Sequence, residues 1–322
     1  MQVLRDDFAA FDGETVLTIG NFDGIHLGHQ DVIQHVRDRA AELSVKSGLI
    51  TFDPHPSTVL RPDGPPPLLT PLDEKITLLE EMGLDLLGLL TFNQALMRTR
   101  AADFMTYLAE TLRPREIWVG SDFAMGYKRE GDVAFMQAWA EPHGIRVEPL
   151  DLVLEAGESI TSSPIRSLLA EGQVEEAARL LGRPYATTGV VQHGNKRGRS
   201  IGYPTANFVP HASQAIPADG VYATFTTLPD GTRLPSATNV GVRPTFDNGD
   251  ERNIESFILD WAGDLYGQPV GVEFIPRLRG EEKFSSVEDL VEQIDRDVAL
   301  TRDLLADAPT TVDAPNEGLR QG

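Results

Sequence analysis

Two imidazoles three positions apart, one acid and three glycines occupy the eleven residues Gly20-Asn21-Phe22-Asp23-Gly24-Ile25-His26-Leu27-Gly28-His29-Gln30. If a helix has begun by His26, His26 and His29 lie on one of its faces. Gly20, Gly24 and Gly28 let the backbone approach a ligand closely. A helix start adds unpaired N–H groups and a partial positive charge. Together these features suit the phosphates of a nucleotide triphosphate. Imidazoles aimed there can donate to charge that develops during transfer, and each, ordinarily titrating near ~6.5, is open to protonation beside phosphate. A histidine pair alone is more often a surface or capping feature, or a metal pair; the glycines and the aspartate argue for the nucleotide.

A second string, Gly194–Asn207, reads GNKRGRSIGYPTAN. Its glycines Gly194 and Gly198 stand among the cations Lys196, Arg197 and Arg199, the composition of a loop that wraps phosphate. In an extended stretch Thr205 and Asn207, which flank Ala206 after Pro204, point to one side. Hydroxyl and carboxamide oxygens are hard donors suited to Mg²⁺, with nucleotide phosphates completing the shell. The GxxxxGK[ST] loop is missing, so this is not a Walker A site.

The elements that must hold these strings differ between the two halves. In the first, short apolar runs of strand type (Val16–Gly20, Leu49–Phe52, Leu84–Thr91, Glu116–Gly120, Ile145–Leu150) alternate with helical stretches (Gln30–Leu43, Leu72–Met82, Ala101–Leu112, Val133–Glu141). That alternation predicts βαβ units and a parallel sheet, with ligands beyond the carboxyl ends of its strands. Ser162–Ala170 and Val174–Leu181 read as two further helices. From Tyr185 to Ile275 the β-branched and aromatic runs crowd together (Ala186–Val191, Val221–Thr227, Ile254–Leu259, Val270–Phe274), which predicts an antiparallel barrel or sandwich. A helix over Val287–Leu305, with Ser285 or Ser286 as N-cap, closes the pattern. The expected organisation is an α/β Rossmann-like domain over 1–183, an antiparallel β-barrel with a C-terminal helix over 184–306, and a polar, Pro-rich and disordered tail over 307–322.

Composition narrows the function classes. The chain has 322 residues, a length that favours two domains. Its formal net charge of −21 argues against a nucleic-acid partner. It has no cysteine, which excludes disulfides, thiolate metal sites and a cysteine nucleophile. No apolar run approaches the ~20 residues of a bilayer span, and the acidic N-terminus lacks a signal-type apolar region, so a cytoplasmic enzyme without membrane contact is expected. Without coiled-coil heptads, oligomeric state is not legible.

The first string resembles the HxGH signature of the nucleotidyltransferase superfamily. Three further segments extend the likeness: Thr51–Pro56 (TFDPHP), Gly120–Gly126 (GSDFAMG) and Thr161–Leu169 (TSSPIRSLL). In that order they look like the adenylyltransferase module of bacterial bifunctional riboflavin kinase/FAD synthetases. The second string resembles the PTAN motif of bacterial riboflavin kinases, whose fold is a small β-barrel. Asn253–Leu259 (NIESFIL), Gly241–Phe246 (GVRPTF) and Arg277–Phe284 (RLRGEEKF) are similar to kinase segments of the same family.

The resemblance covers Thr15 to about Leu305 and implies two reactions. Riboflavin and ATP give FMN in the barrel; FMN and ATP give FAD and pyrophosphate in the first domain, without a covalent enzyme intermediate; both need Mg²⁺. By the same resemblance His26 and His29 act on the phosphates. Gly20, Phe22, Asp23, Gly24, Ser162, Ser163 and Arg166 contact ATP; Phe52, Asp53, Pro54 and His55 lie near the flavin; and Asp122 orients the reacting groups. In the kinase, Gly194, Lys196, Arg197, Gly198, Arg199, Pro204 and Thr205 cover ATP, Thr205 and Asn207 hold Mg²⁺, and Arg279 is near phosphate or flavin. Glu255 accepts the hydroxyl proton, a task that burial among Ile254 and Phe257 would favour by raising its pKa. Two positions depart from the pattern: Pro164 replaces the usual Thr of a Ser-Ser-Thr run, and Asp122 stands where some relatives have Asn. Two other readings stay open: an HxGH enzyme with another acceptor, such as nicotinamide mononucleotide or phosphopantetheine, whose barrel only binds, and a non-catalytic flavin-binding regulator.

Overall fold

The computed structural model describes residues 1–150, 154–155, 158–193, 198, 201–245 and 249–307. Gly194, Lys196, Arg197 and Arg199 lie outside the described residues, as does the expected tail from 308 onward. The chain divides into two compact units, Met1–Ser162 and Ser163–Gly322.

The first unit is built on a six-stranded parallel sheet: β1 (Gln2–Arg5), β2 (Thr15–Ile19), β3 (Lys46–Asp53), β4 (Leu86–Thr91), β5 (Pro114–Gly120) and β8 (Arg146–Leu150), in the order β1-β4-β3-β2-β5-β8. Helices α1 (Leu27–Leu43), α2 (Pro56–Leu60), α3 (Leu72–Glu81), α4 (Gln94–Met97), α5 (Ala101–Leu112) and α6 (Val133–Ala140) connect the strands. Two short ribbons complete it: β6 (Ala124–Met125) with β7 (Gly131–Asp132), and β9 (Leu154–Glu155) with β10 (Glu158–Ser159). All five residues of central β2 are buried, as a strand covered on both faces requires. Helix α5 buries Ala101, Phe104, Met105, Leu108 and Leu112, one stripe at helical spacing, against the sheet core. Because β2 pairs with β3 on one side and β5 on the other, strand order reverses there. The loop leaving β2 therefore opens at the switch point where such sheets bind ligands.

The second unit takes in α7 (Ser162–Glu171) from Ser163 onward and α8 (Val174–Leu181), and continues into a closed barrel. Its strands are β11 (Tyr185–Gln192), β12 (Ala206–Phe208), β13 (Gly220–Thr227), β14 (Arg233–Thr245), β15 (Gly249–Ile258) and β16 (Pro269–Arg279), ordered β11-β12-β15-β14-β13-β16 with antiparallel neighbours. The structure thus selects the barrel over the sandwich. Along β13, Tyr222, Thr224 and Thr226 alternate with Ala223 and Phe225, which pack with Leu305 of the last helix, α9 (Val287–Leu305). Ser286 is the α9 N-cap, accepting from Asp289 N at 3.1 Å.

Besides the two short ribbons, three strands of the main sheet and the barrel escape the sequence reading. β1 is only four residues long, β12 only three, and β14 carries Pro235 and Pro244 among small residues. β14 exists because β13 and β15 pair with it on both sides, a nonlocal cause that overrides weak local propensity.

Candidate active sites

The turn from β2 into α1 holds left-handed backbone at Phe22 (φ 48°), Gly24 (φ 88°) and Ile25 (φ 40°). The two non-glycine positions cost roughly 1 kcal/mol or more each. Phe22 and Ile25 are 3% and 1% exposed and pack with Ile33, Leu49 and Leu79. Burying each side chain contributes about 1.5–3 kcal/mol, enough to offset the strain.

Hydrogen bonds fasten the same turn. The Asn21 carbonyl accepts from Lys75 Nζ at 2.8 Å and Thr51 Oγ1 at 3.1 Å. The Asp23 carboxylate, 2% exposed, accepts from Leu69 N at 3.0 Å and Thr70 N at 3.1 Å. Ser162 Oγ donates to the Asp23 carbonyl at 2.9 Å, and Gln30 Nε2 to the Ile25 carbonyl at 2.8 Å. The Asp23 side chain is thus committed to the chain that leads into α3.

Helix α1 begins at Leu27, three residues before the expected Gln30, so His29 lies in its first turn and His26 just before it. His26 is the N-cap: its Nδ1 accepts from His29 N at 3.4 Å, and in the neutral ring the proton then sits on Nε2. The rings still meet, stacked with centroids 3.7 Å apart, and Phe22 lies 4.9 Å from His29. A Cβ on Gly28 would come within 3.3 Å of the His26 ring, so this glycine makes room for the imidazole. Burial, then His26 and Lys75, push His29 well below the ordinary histidine range. Without a bound anion these surroundings favour the neutral ring. Its Nδ1 is buried and has no hydrogen-bond partner among the described residues.

Sequence reasoning missed Lys75. It is 5% exposed on α3, and burial pushes its pKa down against the pull of Asp23 and Asp53. Its one sequence signal is position: it lies three residues after Leu72 and four before buried Leu79, on the stripe that faces the core.

The other first-unit candidates gather at strand ends. Phe52 and Asp53 end β3, Phe52 meets Phe92 edge-on at 5.7 Å, and Pro54 follows through a cis peptide. His55 caps α2, accepting from Ser57 N at 3.2 Å through Nδ1. Gly20 follows β2, and exposed Asp122 stands in the turn after β5, its carbonyl accepting from Arg129 Nη2. Exposed Ser163, half-buried Arg166 and first-turn Pro164 belong to α7, within the second unit.

In the barrel, Asn207 of β12 lies between Gln192 of β11 and Glu255 of β15. Its carboxamide Nδ2 donates to Thr205 Oγ1 at 2.9 Å, so the two side chains share one side as expected. Asn253, also missed from sequence, donates through Nδ2 to Glu255 Oε1 at 2.9 Å and to Asn207 Oδ1 at 3.4 Å. Thr205, Asn207, Asn253 and Glu255 thus form one polar cluster. Its neutral oxygen donors fit Mg²⁺, a hard cation. A Cβ on Gly198 would fall 2.2 Å from the Tyr203 carbonyl, so only glycine fits where the loop returns toward Pro204. Arg279 is held by Asp297 of α9 through Nε at 3.0 Å and Nη2 at 2.8 Å, and its guanidinium lies 5.8 Å from the Phe284 ring.

A switch-point turn with paired histidines, followed by a closed barrel with a hydroxyl, carboxamide and carboxylate cluster, is the arrangement expected of a two-domain nucleotide-using enzyme. A family model described as FAD synthetase matches residues 9–164, and one described as riboflavin kinase matches residues 181–305. The bifunctional riboflavin kinase/FMN adenylyltransferase of Pseudomonas fluorescens is 39% identical over 292 residues, covering 90% of this chain and 93% of that one. The protein of the same description from Haemophilus influenzae is 38% identical over 283 residues, covering 88% and 91%. The chain belongs to the bifunctional riboflavin kinase/FMN adenylyltransferase family.

A solved structure described as a macrolide-efflux protein from Streptococcus pneumoniae superposes with a TM-score of 0.86 at 30% identity, covering 94% of this chain and 99% of that one. Among the described residues no helix is long and apolar enough to cross a membrane.

Proposed function

We propose that this chain phosphorylates riboflavin to FMN at the barrel cluster and adenylylates FMN to FAD at the histidine turn, using ATP twice, with the functional division near residue 183. The observation that carries the reading is the pairing of two unlike phosphate-directed clusters, stacked His26 and His29 in one unit and Thr205, Asn207 and Glu255 in the other.

In adenylyl transfer an FMN phosphate oxygen attacks the α-phosphorus of ATP and the bond to pyrophosphate breaks. The protein's work is positioning and charge stabilisation. Gly20, Phe22, Asp23 and Gly24 shape the phosphate turn, Asp23 through its carboxylate's grip on Leu69 and Thr70. His26 Nε2–H and the His29 ring donate to the phosphate oxygens as charge grows there. Ser162, Ser163 and Arg166 contribute hydroxyls and a cation to ATP. Phe52, Asp53, Pro54 and His55 line the flavin side, and Asp122 orients the reactants.

In the kinase the terminal riboflavin hydroxyl attacks the γ-phosphorus, its proton passes to Glu255, and ADP leaves. Asn253 keeps the Glu255 carboxylate aimed. Thr205 and Asn207 would hold Mg²⁺, which neutralises phosphate charge when bound. Gly194, Lys196, Arg197, Gly198, Arg199 and Pro204 form the loop over ATP, and Arg279, oriented by Asp297, borders the phosphate or flavin. The same reading assigns the enzyme to the cytoplasm, and a charge of −21 disfavours nucleic acid as a partner.

The test is incubation of the full chain with riboflavin, ATP and Mg²⁺, with the flavins separated by chromatography. FMN appearing first and FAD after it is expected. Absence of either product from folded protein supplied with that step's substrates removes the corresponding assignment.

A further inference from the structure

Lys75 is a buried cation that neither reaction has yet used. Its ammonium donates to the Asn21 carbonyl at 2.8 Å, and Thr51 Oγ1 donates to the same oxygen at 3.1 Å. In a trans peptide the N–H points opposite to the C=O, so two donors drawing the Asn21 carbonyl inward turn the Phe22 N–H outward. Among the described residues the Phe22 N–H meets no acceptor. The adjoining backbone is left-handed at Phe22, so the peptide's orientation needs support that local preference does not supply. A full charge on a carbonyl oxygen also polarises the peptide and strengthens its N–H as a donor.

We propose that Lys75 is a positioning residue for adenylyl transfer, holding and polarising the Asn21–Phe22 peptide so that the Phe22 N–H binds the nucleotide's phosphates. The inference rests on the reading of the histidine turn as the adenylyl-transfer site. The charged groups that act on Lys75 are Asp23 and Asp53, which hold the cation in place; Lys75 in turn acts on His29. Two routes therefore run from Lys75 to the phosphates, through the peptide and through the field at His29. The Asn21 carbonyl separates them, because Thr51 touches that oxygen and carries no charge.

The experiment measures FMN adenylylation and riboflavin phosphorylation in full-length Lys75→Met, Thr51→Val, the double variant and His29→Ala. Lys75→Met is expected to lower kcat for adenylylation about tenfold, with KM for FMN within about twofold. Riboflavin phosphorylation should hold. Thr51→Val is expected to lower adenylylation by a smaller factor, and the double variant to lose less than the product of the two, since both act through one oxygen. Full adenylylation in folded Lys75→Met, or a fully multiplicative double variant, overturns the proposal. If Lys75→Met does not fold, Thr51→Val decides alone: a lowered kcat supports the proposal and an unchanged one overturns it. His29→Ala separates the premise from the inference. Surviving adenylylation there removes the site itself, whereas its loss beside an active Lys75→Met removes only the role of Lys75.

Discussion

Asn207 of β12 faces Glu255 of β15 as a direct cross-strand pair, and Asn239 of β14 faces Glu255 from the other side. Directly opposed residues project from the same face of a sheet, with Cβ atoms ~4.5–5.5 Å apart. Three strands therefore deliver a proposed metal ligand, a proposed base and a further carboxamide to one patch of barrel wall. Barrel closure holds them there without relying on loop rigidity.

That register makes the kinase chemistry separable. Glu255→Gln keeps the acceptor for Asn253 but removes the proton acceptor, and should lower riboflavin phosphorylation about 10²–10⁴-fold. Asn207→Ala should abolish FMN formation as well. Both variants should still make FAD when FMN is supplied, whereas His29→Ala should make FMN and no FAD. Chromatography of the flavins reads all three. Loss of both activities from any one change in a folded protein would reject independent sites.

Asp23 should prove to be an anchor whose removal is felt as stability before chemistry. Asp23→Ala leaves the Leu69 and Thr70 amides without their acceptor. Each unmet buried group costs about 1–3 kcal/mol. Denaturant titration should register the loss in the first unit, and Asp23→Asn, which keeps one acceptor oxygen, should lose less. Adenylylation should weaken with the turn it fastens, while riboflavin phosphorylation persists.

His29 ties stability of the first unit to pH. Its folded-state pKa is depressed, chiefly by burial. As pH falls below the unfolded value near 6.5, the unfolded chain takes up a proton that the folded site refuses, so stability drops with falling pH. The drop continues until the folded pKa is reached, with a slope of at most about 1.4 kcal/mol per pH unit for the one proton. Unfolding free energies measured from pH 7.5 downward should fall more steeply in the wild-type protein than in His29→Gln. Parallel curves would show that His29 is not held neutral.

Much of the architecture is legible in the chain because its cause is local. Apolar periodicity marks α5 and α8 to the residue, and the serine before the last helix is its cap. The two strings GNFDGIHLGHQ and GNKRGRSIGYPTAN carry their residue types and order in plain view, and that order is enough to recognise two phosphate chemistries. What tertiary structure alone decides is the state and company of those groups. β14 becomes a strand only when neighbours pair with it on both sides. His29 falls well below the ordinary histidine range because burial withdraws water and His26 and Lys75 lie close. Asn253, forty-six residues from Asn207, joins the kinase cluster through barrel register. Charge, burial and cross-strand contact depend on what distant segments bring into the same few ångströms, and no window of sequence contains that distance.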